Sequence, residues 1–130
     1  MHISFCIVNL NAKKYLVKCL RSIKKSTLSK SYEIIVVDNN SYDGSVDYIR
    51  LNYPNIRTIV LPRNEGYTKA MNIALQNSNG KYKVILNPDT ELMFRSIDIL
   101  LKQMQADDSI GIVGPKVINT DGSFQKSCRK

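Results

Sequence analysis

The chain has 130 residues, 43% of them hydrophobic, with 19 Lys and Arg against 11 Asp and Glu, a net charge of +8 and a pI near 9.5. That length suits one domain and that apolar content supports a real core, which excludes a disordered chain. The apolar runs reach only about five or six residues against the ~20 that a membrane-spanning helix needs, which excludes one, and the single histidine, His2 beside the terminus, excludes triads built on imidazole.

In chain order, Ile3 to Val8 reads as a strand ending in Asn9 and Asn11. Leu16, Cys19, Leu20 and Ile23 then recur at helical spacing between residues 12 and 25, the signature of an amphipathic helix. Its polar side and exit are basic, with Lys13, Lys14, Lys18, Arg21, Lys24, Lys25 and Lys30. Such a strip could meet anionic lipid headgroups in a peripheral membrane contact. A solvated helix face explains it without a partner and is preferred, because no tryptophan, arginine-rich cluster or aromatic ladder accompanies the lysines. The same reasoning argues against nucleic acid. Glu33 to Asp38 is a second strand, followed by the turn residues Ser41 to Ser45 and by Val46, Ile49 and Tyr53, a short helix closed by Pro54. Arg57 to Leu61 is a third strand leading to Arg63 and Asn64; Tyr67, Ala70, Met71, Ala74 and Leu75 form the next helical stripe, with Asn79-Gly80 as its expected stop. Tyr82 to Leu86 is a fourth strand that ends abruptly at Asn87-Pro88-Asp89-Thr90. Ile97, Leu100, Leu101 and Met104 mark a last helix, Asp107-Asp108 breaks it, and the apolar runs Gly111 to Val113 and Val117-Ile118 precede a hairpin turn expected at Asn119 to Gly122, leading into Ser123 to Gln125.

Alternating strands and amphipathic helices predict an α/β fold: a mostly parallel sheet with helices on both faces and right-handed crossovers. The terminal hairpin would leave an exposed strand edge, an invitation to form a homo-oligomer. Cys6, Cys19 and Cys128 are odd in number and lack metal-ligand spacing, so they read as free thiols, the first two as small core hydrophobes. The N-terminus runs straight into a strand pattern without a leader, which makes a cytoplasmic location the expectation.

Four apolar strands thus each end in amides or carboxylates, and in an open parallel sheet ligands bind outside those ends. There is no Gly-x-Gly-x-x-Gly after the first strand and no phosphate-binding Gly-x-x-x-x-Gly-Lys loop. A nucleotide can still be held by carboxylates and amides, with a divalent cation gripping its diphosphate. Asp89 is the sharpest candidate ligand, since a carboxylate after a rigid proline can coordinate Mg²⁺ or Mn²⁺; alternatively Asn-Pro-Asp-Thr is only a turn. Asp38, Asn39, Asn40 and Ser41 are either ligand contacts or turn formers, and Asn64 either a contact or the cap of the helix that follows.

Read together, Ile7-Val8-Asn9-Leu10-Asn11 with Tyr15-Leu16 and Cys19-Leu20, Ile35-Val36-Val37-Asp38-Asn39-Asn40-Ser41 with Asp43-Gly44-Ser45, Asn64-x-Gly66-Tyr67 with Asn72, Leu86-Asn87-Pro88-Asp89-Thr90, Gly114-Pro115 and Asp121-Gly122-Ser123 resemble the ordered motifs of family-two glycosyltransferases. The resemblance covers essentially the whole chain and is greatest to the rhamnosyltransferase-like branch of surface-polysaccharide assembly. It implies a GT-A, Rossmann-like fold and an enzyme that transfers a sugar, with inversion, from a nucleotide-diphosphate donor to a saccharide or lipid-linked acceptor, in the cytoplasm at the inner face of the membrane. Asp38 matches the family's base- and ribose-reading carboxylate, with Asn39 beside it, while Asn9 and Asn11 match the loop lining the same pocket. Asn64 and Gly66 match the loop beneath the donor, and Lys69 is close enough to reach the diphosphate. Asn87 and Asp89 occupy the Asp-x-Asp metal site for Mg²⁺ or Mn²⁺, with Asn in place of the first carboxylate. The family's catalytic base lies in a second half, so residues 1–130 are expected to be the nucleotide-sugar-binding part of one domain about twice as long, not competent alone. Two alternatives stand beside this reading: a non-catalytic nucleotide-binding or assembly module, and a nucleotidyltransferase, against which the missing glycine-rich N-terminal loop counts.

Overall fold

A computed structural model of the chain describes residues 2–26 and 29–125. Strands and helices alternate as β1 (Ile3–Asn9), α1 (Lys13–Lys25), β2 (Tyr32–Asp38), α2 (Ser45–Asn52), β3 (Arg57–Val60), α3 (Tyr67–Gln76), β4 (Tyr82–Leu86) and α4 (Ser96–Ala106). The strands pair in parallel in the order β3-β2-β1-β4. The chain therefore steps outward twice from β1 and then returns to lay β4 along β1's other side.

A right-handed crossover that reverses direction must carry its helix to the opposite face of the sheet. Leu16, Cys19, Leu20 and Ile23 of α1 and Ile49 of α2 pack on Ile3, Phe5 and Ile7, whereas Ala70, Met71 and Ala74 of α3 pack on Cys6, Val8, Ile35 and Val37. After the return, α4 joins the first face through Ile97 and Leu101. β1 is consequently buried at every position, as expected for a central parallel strand covered on both sides. Its alternate residues feed the two cores, which is why the strand reads as one unbroken run rather than as an apolar and polar alternation.

Ser4 is the polar exception in that run, and it is fully buried. Its hydroxyl donates to Glu33 Oε1 at 2.7 Å and accepts from the Gly80 amide at 2.7 Å. Burial works against the Glu33 charge, but bonds from Ser4 and Asn79 outweigh it and lower its pKa. A Cβ on Gly80 would lie 2.5 Å from the Ser4 nitrogen and 2.7 Å from the Ile3 carbonyl carbon. The helix stops at Gln76, ahead of the expected Asn79-Gly80 stop, so Gly80 serves a close backbone approach to β1 rather than helix termination.

Past α4 the chain departs from its strand-like pattern. The run Gly111 to Val113 is not a strand, and Ile112 is 92% exposed, because no described strand lies beside it to complete a ladder. The hairpin turn forms, with the Asn119 amide donating to the Ser123 carbonyl at 2.8 Å and one antiparallel bridge between Ile118 and Phe124. Two strands alone make a marginal ribbon, which is why pairing stops there. Cys6 and Cys19 are buried free thiols, while Cys128 lies outside the described residues. No described helix is long and apolar enough to cross a membrane.

Replacing Gly80 with Ala should lower unfolding free energy by roughly 1–3 kcal/mol through overpacking against the β1 backbone. Gly111→Ala, with nothing within 4 Å of the added carbon, should leave the urea midpoint unchanged.

Candidate functional site

Parallel strands bring all four carboxyl ends to one edge, and the reversal of chain direction falls between β1 and β4. A crevice of about 650 Å³ opens there. Its size lies within the range of small-molecule sites, and its place is the switch point at which open sheets bind ligands. Val8, Leu10, Ala12 and Tyr15 line it from the β1 side, Asn39 from β2, Asn64, Gly66 and Tyr67 from β3, and Asn87, Pro88 and Asp89 from β4.

The wall nearest α3 is an amide lattice. Asn39, only 2% exposed, donates through Nδ2 to Asn64 Oδ1 at 2.7 Å and accepts the Glu65 amide at 2.8 Å. Asn64 Oδ1 also accepts the Gly66 amide at 2.9 Å. Asn64 thus shapes the approach to α3 without capping the helix itself. Gly66 takes φ +81°, which favours glycine, and hands the chain to a helix with no acidic residue in its first turn. The positive end of α3 therefore meets the crevice, and the Glu65 carboxylate just ahead of it takes no amide of the helix. Glu65 is paired instead with Arg63 and Lys69, each at 2.6 Å, and these bonds, Lys69 first, lower its pKa. Lys69 is held on Glu65 and does not line the crevice.

Behind the lining lies a polar rivet whose centre, Asn9, Asp38 and Ser45, is buried. Asn9 Nδ2 is 2.8 Å from Asp38 Oδ1, 2.8 Å from Ser45 Oγ and 3.1 Å from Ser41 Oγ, while the Ser41 amide donates to Asp38 Oδ2 at 2.8 Å. Asn11, at φ +50°, donates its amide to Ser41 Oγ at 2.9 Å and accepts the Tyr42 amide on Oδ1 at 2.9 Å. Asp43 takes the first amide of α1, Lys13, at 2.7 Å and the Ser45 amide at 3.0 Å. Burial works against the Asp43 charge, but these bonds outweigh it and hold its pKa below the usual carboxylate value.

Five sequence candidates, Asn39, Asn64, Gly66, Asn87 and Asp89, thus come together on the crevice. Asn9, Asn11 and Asp38 sit in the rivet that shapes its β1 and β2 loops, with the Asp38 carboxylate fully buried. Sequence reasoning missed Tyr15 and Tyr67 as walls. Tyr15 falls off the apolar stripe of its own helix, a usable signal, whereas Tyr67 falls on its stripe yet stays 48% exposed. Partial burial raises the Tyr67 phenol pKa.

Asn87 and Asp89 are exposed to the crevice, and among the described residues no group of three or more His, Cys, Asp or Glu could hold an ion unaided. One carboxylate beside one amide oxygen does suit Mg²⁺ or Mn²⁺ when ligand phosphates complete the shell. Cys19 lies beneath this loop, its thiol pointing to the Asn87 carbonyl at 3.8 Å. Burial, then the charges of Asp89 and Glu91, push that thiol up to about 12.

The family model described as glycosyl transferase family 2 matches residues 4–129. The chain is 32% identical over 117 residues to the teichoic acid poly(glycerol phosphate) polymerase of Staphylococcus epidermidis, covering 87% of this chain and 16% of that protein. It is 29% identical to glycosyltransferase GlyG of Streptococcus pneumoniae, covering 94% of this chain and 42% of that one. It is 27% identical to the N-acetylglucosaminyl-diphospho-decaprenol L-rhamnosyltransferase of Mycobacterium tuberculosis, covering 89% and 41%. The chain thus spans less than half the length of these curated relatives. Among solved structures, TarS 1-349 of S. aureus in complex with UDP superposes with a TM-score of 0.74 at 20% identity, covering 91% of this chain and 42% of that one, a likeness of fold.

Asp38→Ala should cost roughly 2–4 kcal/mol of stability, since it strips partners from a buried amide network. Asp89→Ala, at an exposed position, should leave the melting temperature within about a degree of the parent. Because the Asp43 pKa is lowered on folding, its contribution is complete above the unfolded value near pH 4 and is lost as pH falls through the folded value. Asp43→Asn should therefore flatten the fall in stability below about pH 4 while lowering stability at neutral pH, as read by urea midpoints across the pH range.

Proposed function

Because the chain belongs to glycosyl transferase family 2, we propose that its crevice binds a nucleotide-diphosphate sugar whose sugar passes, with inversion, to a saccharide or lipid-linked acceptor. The observation that carries this reading is the convergence of all four strand ends on one crevice, with the Asp89 carboxylate and the N-terminal residues of α3 both on its lining. The names of relatives support it, since a TarS structure holds UDP-GlcNAc and the mycobacterial relative is a rhamnosyltransferase of a diphospho-decaprenol acceptor.

On this reading the base and ribose lie on the β1 and β2 side, against Leu10, Tyr15 and Asn39, with Asn9, Asn11 and Asp38 setting the loop positions from behind. The diphosphate lies toward Gly66, where the missing side chain lets an anion approach backbone amides at the head of α3. Asp89, helped by the Asn87 amide oxygen, would hold Mg²⁺ or Mn²⁺, which supplies positive charge against the departing diphosphate. Lys69 lies in the first turn of α3 and would have to leave Glu65 to reach that group. Inversion requires the acceptor hydroxyl to attack opposite the diphosphate while a base takes its proton. Asp89 is the one carboxylate lining the crevice among the described residues and is committed to the cation, so the base is proposed to come from outside it.

Calorimetric titration with UDP, GDP and dTDP, with and without Mn²⁺, tests the site. The expectation is binding selective for one nucleotide, tightened roughly tenfold or more by metal, about 1.4 kcal/mol, with that increment absent in Asp89→Ala. Failure of the folded chain to bind any of the three would overturn the assignment of this crevice.

A further inference from the structure

Beyond Asp89 the chain leaves the crevice and is tied to the far end of α1. The Leu92 amide donates to Ser22 Oγ at 2.9 Å, and the Arg95 amide donates to the Ser26 carbonyl at 3.2 Å. Between these ties Met93 and Phe94 point outward, 62% and 69% exposed, and Ile99 in the first turn of α4 adds a third apolar side chain at 60%. The turn is built rather than slack: the Met93 carbonyl accepts both the Ser96 amide at 3.1 Å and the Ser96 hydroxyl at 2.9 Å, and Arg95 is held at φ +56°, a conformation that a residue with a Cβ seldom adopts. A single exposed apolar residue is ordinary, but three grouped on a braced tip mark a surface that meets something.

The neighbouring surface is basic. On α1, Lys14, Lys18, Arg21 and Lys25 are exposed at spacings of four, three and four, forming one stripe that runs beside Ser22. Arg95 lies in the turn itself, and Lys102 lies one helical turn beyond Ile99 on α4. Two carboxylates share the region. Glu91 is exposed, and Asp98 is engaged through Oδ1 by the Ser29 hydroxyl at 2.9 Å and the Ser29 amide at 3.3 Å. Six cations therefore stand against two acids around an apolar tip.

That combination matches the chemistry of a bilayer surface. Apolar tips can enter the acyl boundary while long basic side chains lay their stems on the apolar surface and keep their charges among anionic headgroups. Nucleic acid fits less well, because no series of aromatic rings accompanies the stripe. We propose that the Met93–Phe94 tip and the adjoining basic stripe of α1 dock this chain on a lipid bilayer carrying anionic headgroups. The solvated-face reading of the α1 lysines rested on the lack of a tryptophan, an arginine-rich cluster or an aromatic ladder beside them, and the fold brings Met93 and Phe94 to them from a segment distant in sequence. Tyr15 stands at the crevice end of the same helix, so docking along α1 brings the crevice toward the membrane. The surface needs nothing from the crevice, and the two readings can fail separately.

The sequence contains no tryptophan, so Phe94→Trp makes a single fluorescent reporter at the tip. Titrated with phosphatidylcholine vesicles containing phosphatidylglycerol, the reporter should shift to the blue, and it should not shift with phosphatidylcholine alone. In co-sedimentation, Met93→Ser with Phe94→Ser, and separately Lys18→Glu with Arg21→Glu, should each reduce vesicle partitioning by roughly tenfold, with unchanged melting temperature and nucleotide titration. Absence of binding to the anionic vesicles at low salt would overturn the proposal. So would binding without a shift, which is charge adsorption only, and so would a shift that grows with protein concentration without vesicles, which is a second copy covering the tip. The reporter variant decides the matter even where a double variant does not fold.

Discussion

Asn9 and Asp38 are register partners at the adjoining ends of β1 and β2, and both are wholly buried where their strands stop. A buried carboxylate without donors is among the costliest things a fold can contain, so the chain around Asp38 is constrained to supply them. Asn9 donates to one oxygen and the Ser41 amide to the other. The same Asn9 amide reaches Ser41 and Ser45, Ser41 holds Asn11, and Asp43 holds the start of α1. One electrostatic requirement thereby sets the loops after two strands and the entry of a helix. Asn9 Oδ1 alone in this network is buried without a protein partner.

The crevice inherits its shape from that constraint. A hydrogen-bonded inner layer centred on the buried Asn9 and Asp38 stands behind the lining. Asn39 joins the two layers: its backbone amide bonds to the Asn9 carbonyl at 2.8 Å and its side chain braces Asn64 and Glu65. Preorganisation of this kind lowers the ordering cost that binding must otherwise meet. On the opposite side, Asn87 to Asp89 is less constrained, backed by the Cys19 thiol. A braced wall facing a more exposed loop suits the proposal that a cation held by Asp89 would arrive with its phosphates rather than ahead of them.

α1 links the two proposed surfaces. One flank of the helix packs against β1, its first turn contributes Tyr15 to the crevice, and its exposed stripe faces outward beside the Met93–Phe94 turn. An acceptor carried on a lipid would have to meet the donor near a bilayer. A helix that touches the crevice at one end and carries basic side chains along its length suits that geometry.

Much of this molecule was legible in its sequence. Helical and strand periodicities are local, so all eight elements emerged in order, and the apolar continuity of β1 announced a centrally buried strand. Polar residues that interrupt apolar strands mark strand ends, which is why Asn39, Asn64, Asn87 and Asp89 could be grouped from the sequence, with Gly66 joining them through the family resemblance. The tertiary structure alone decided that Asp38 faces inward, that Lys69 is spent on Glu65, that Gly80 must be small because β1 lies against it, and that Met93 and Phe94 stand beside the lysines of α1. Each of these depends on a partner distant in sequence or on the direction of a single side chain, and spacing along a chain carries neither. Sequence determines which residues reach the same edge of a sheet because strand period is a property of consecutive bonds; where each polar group points is settled by hydrogen bonds that exist only once the sheet has closed.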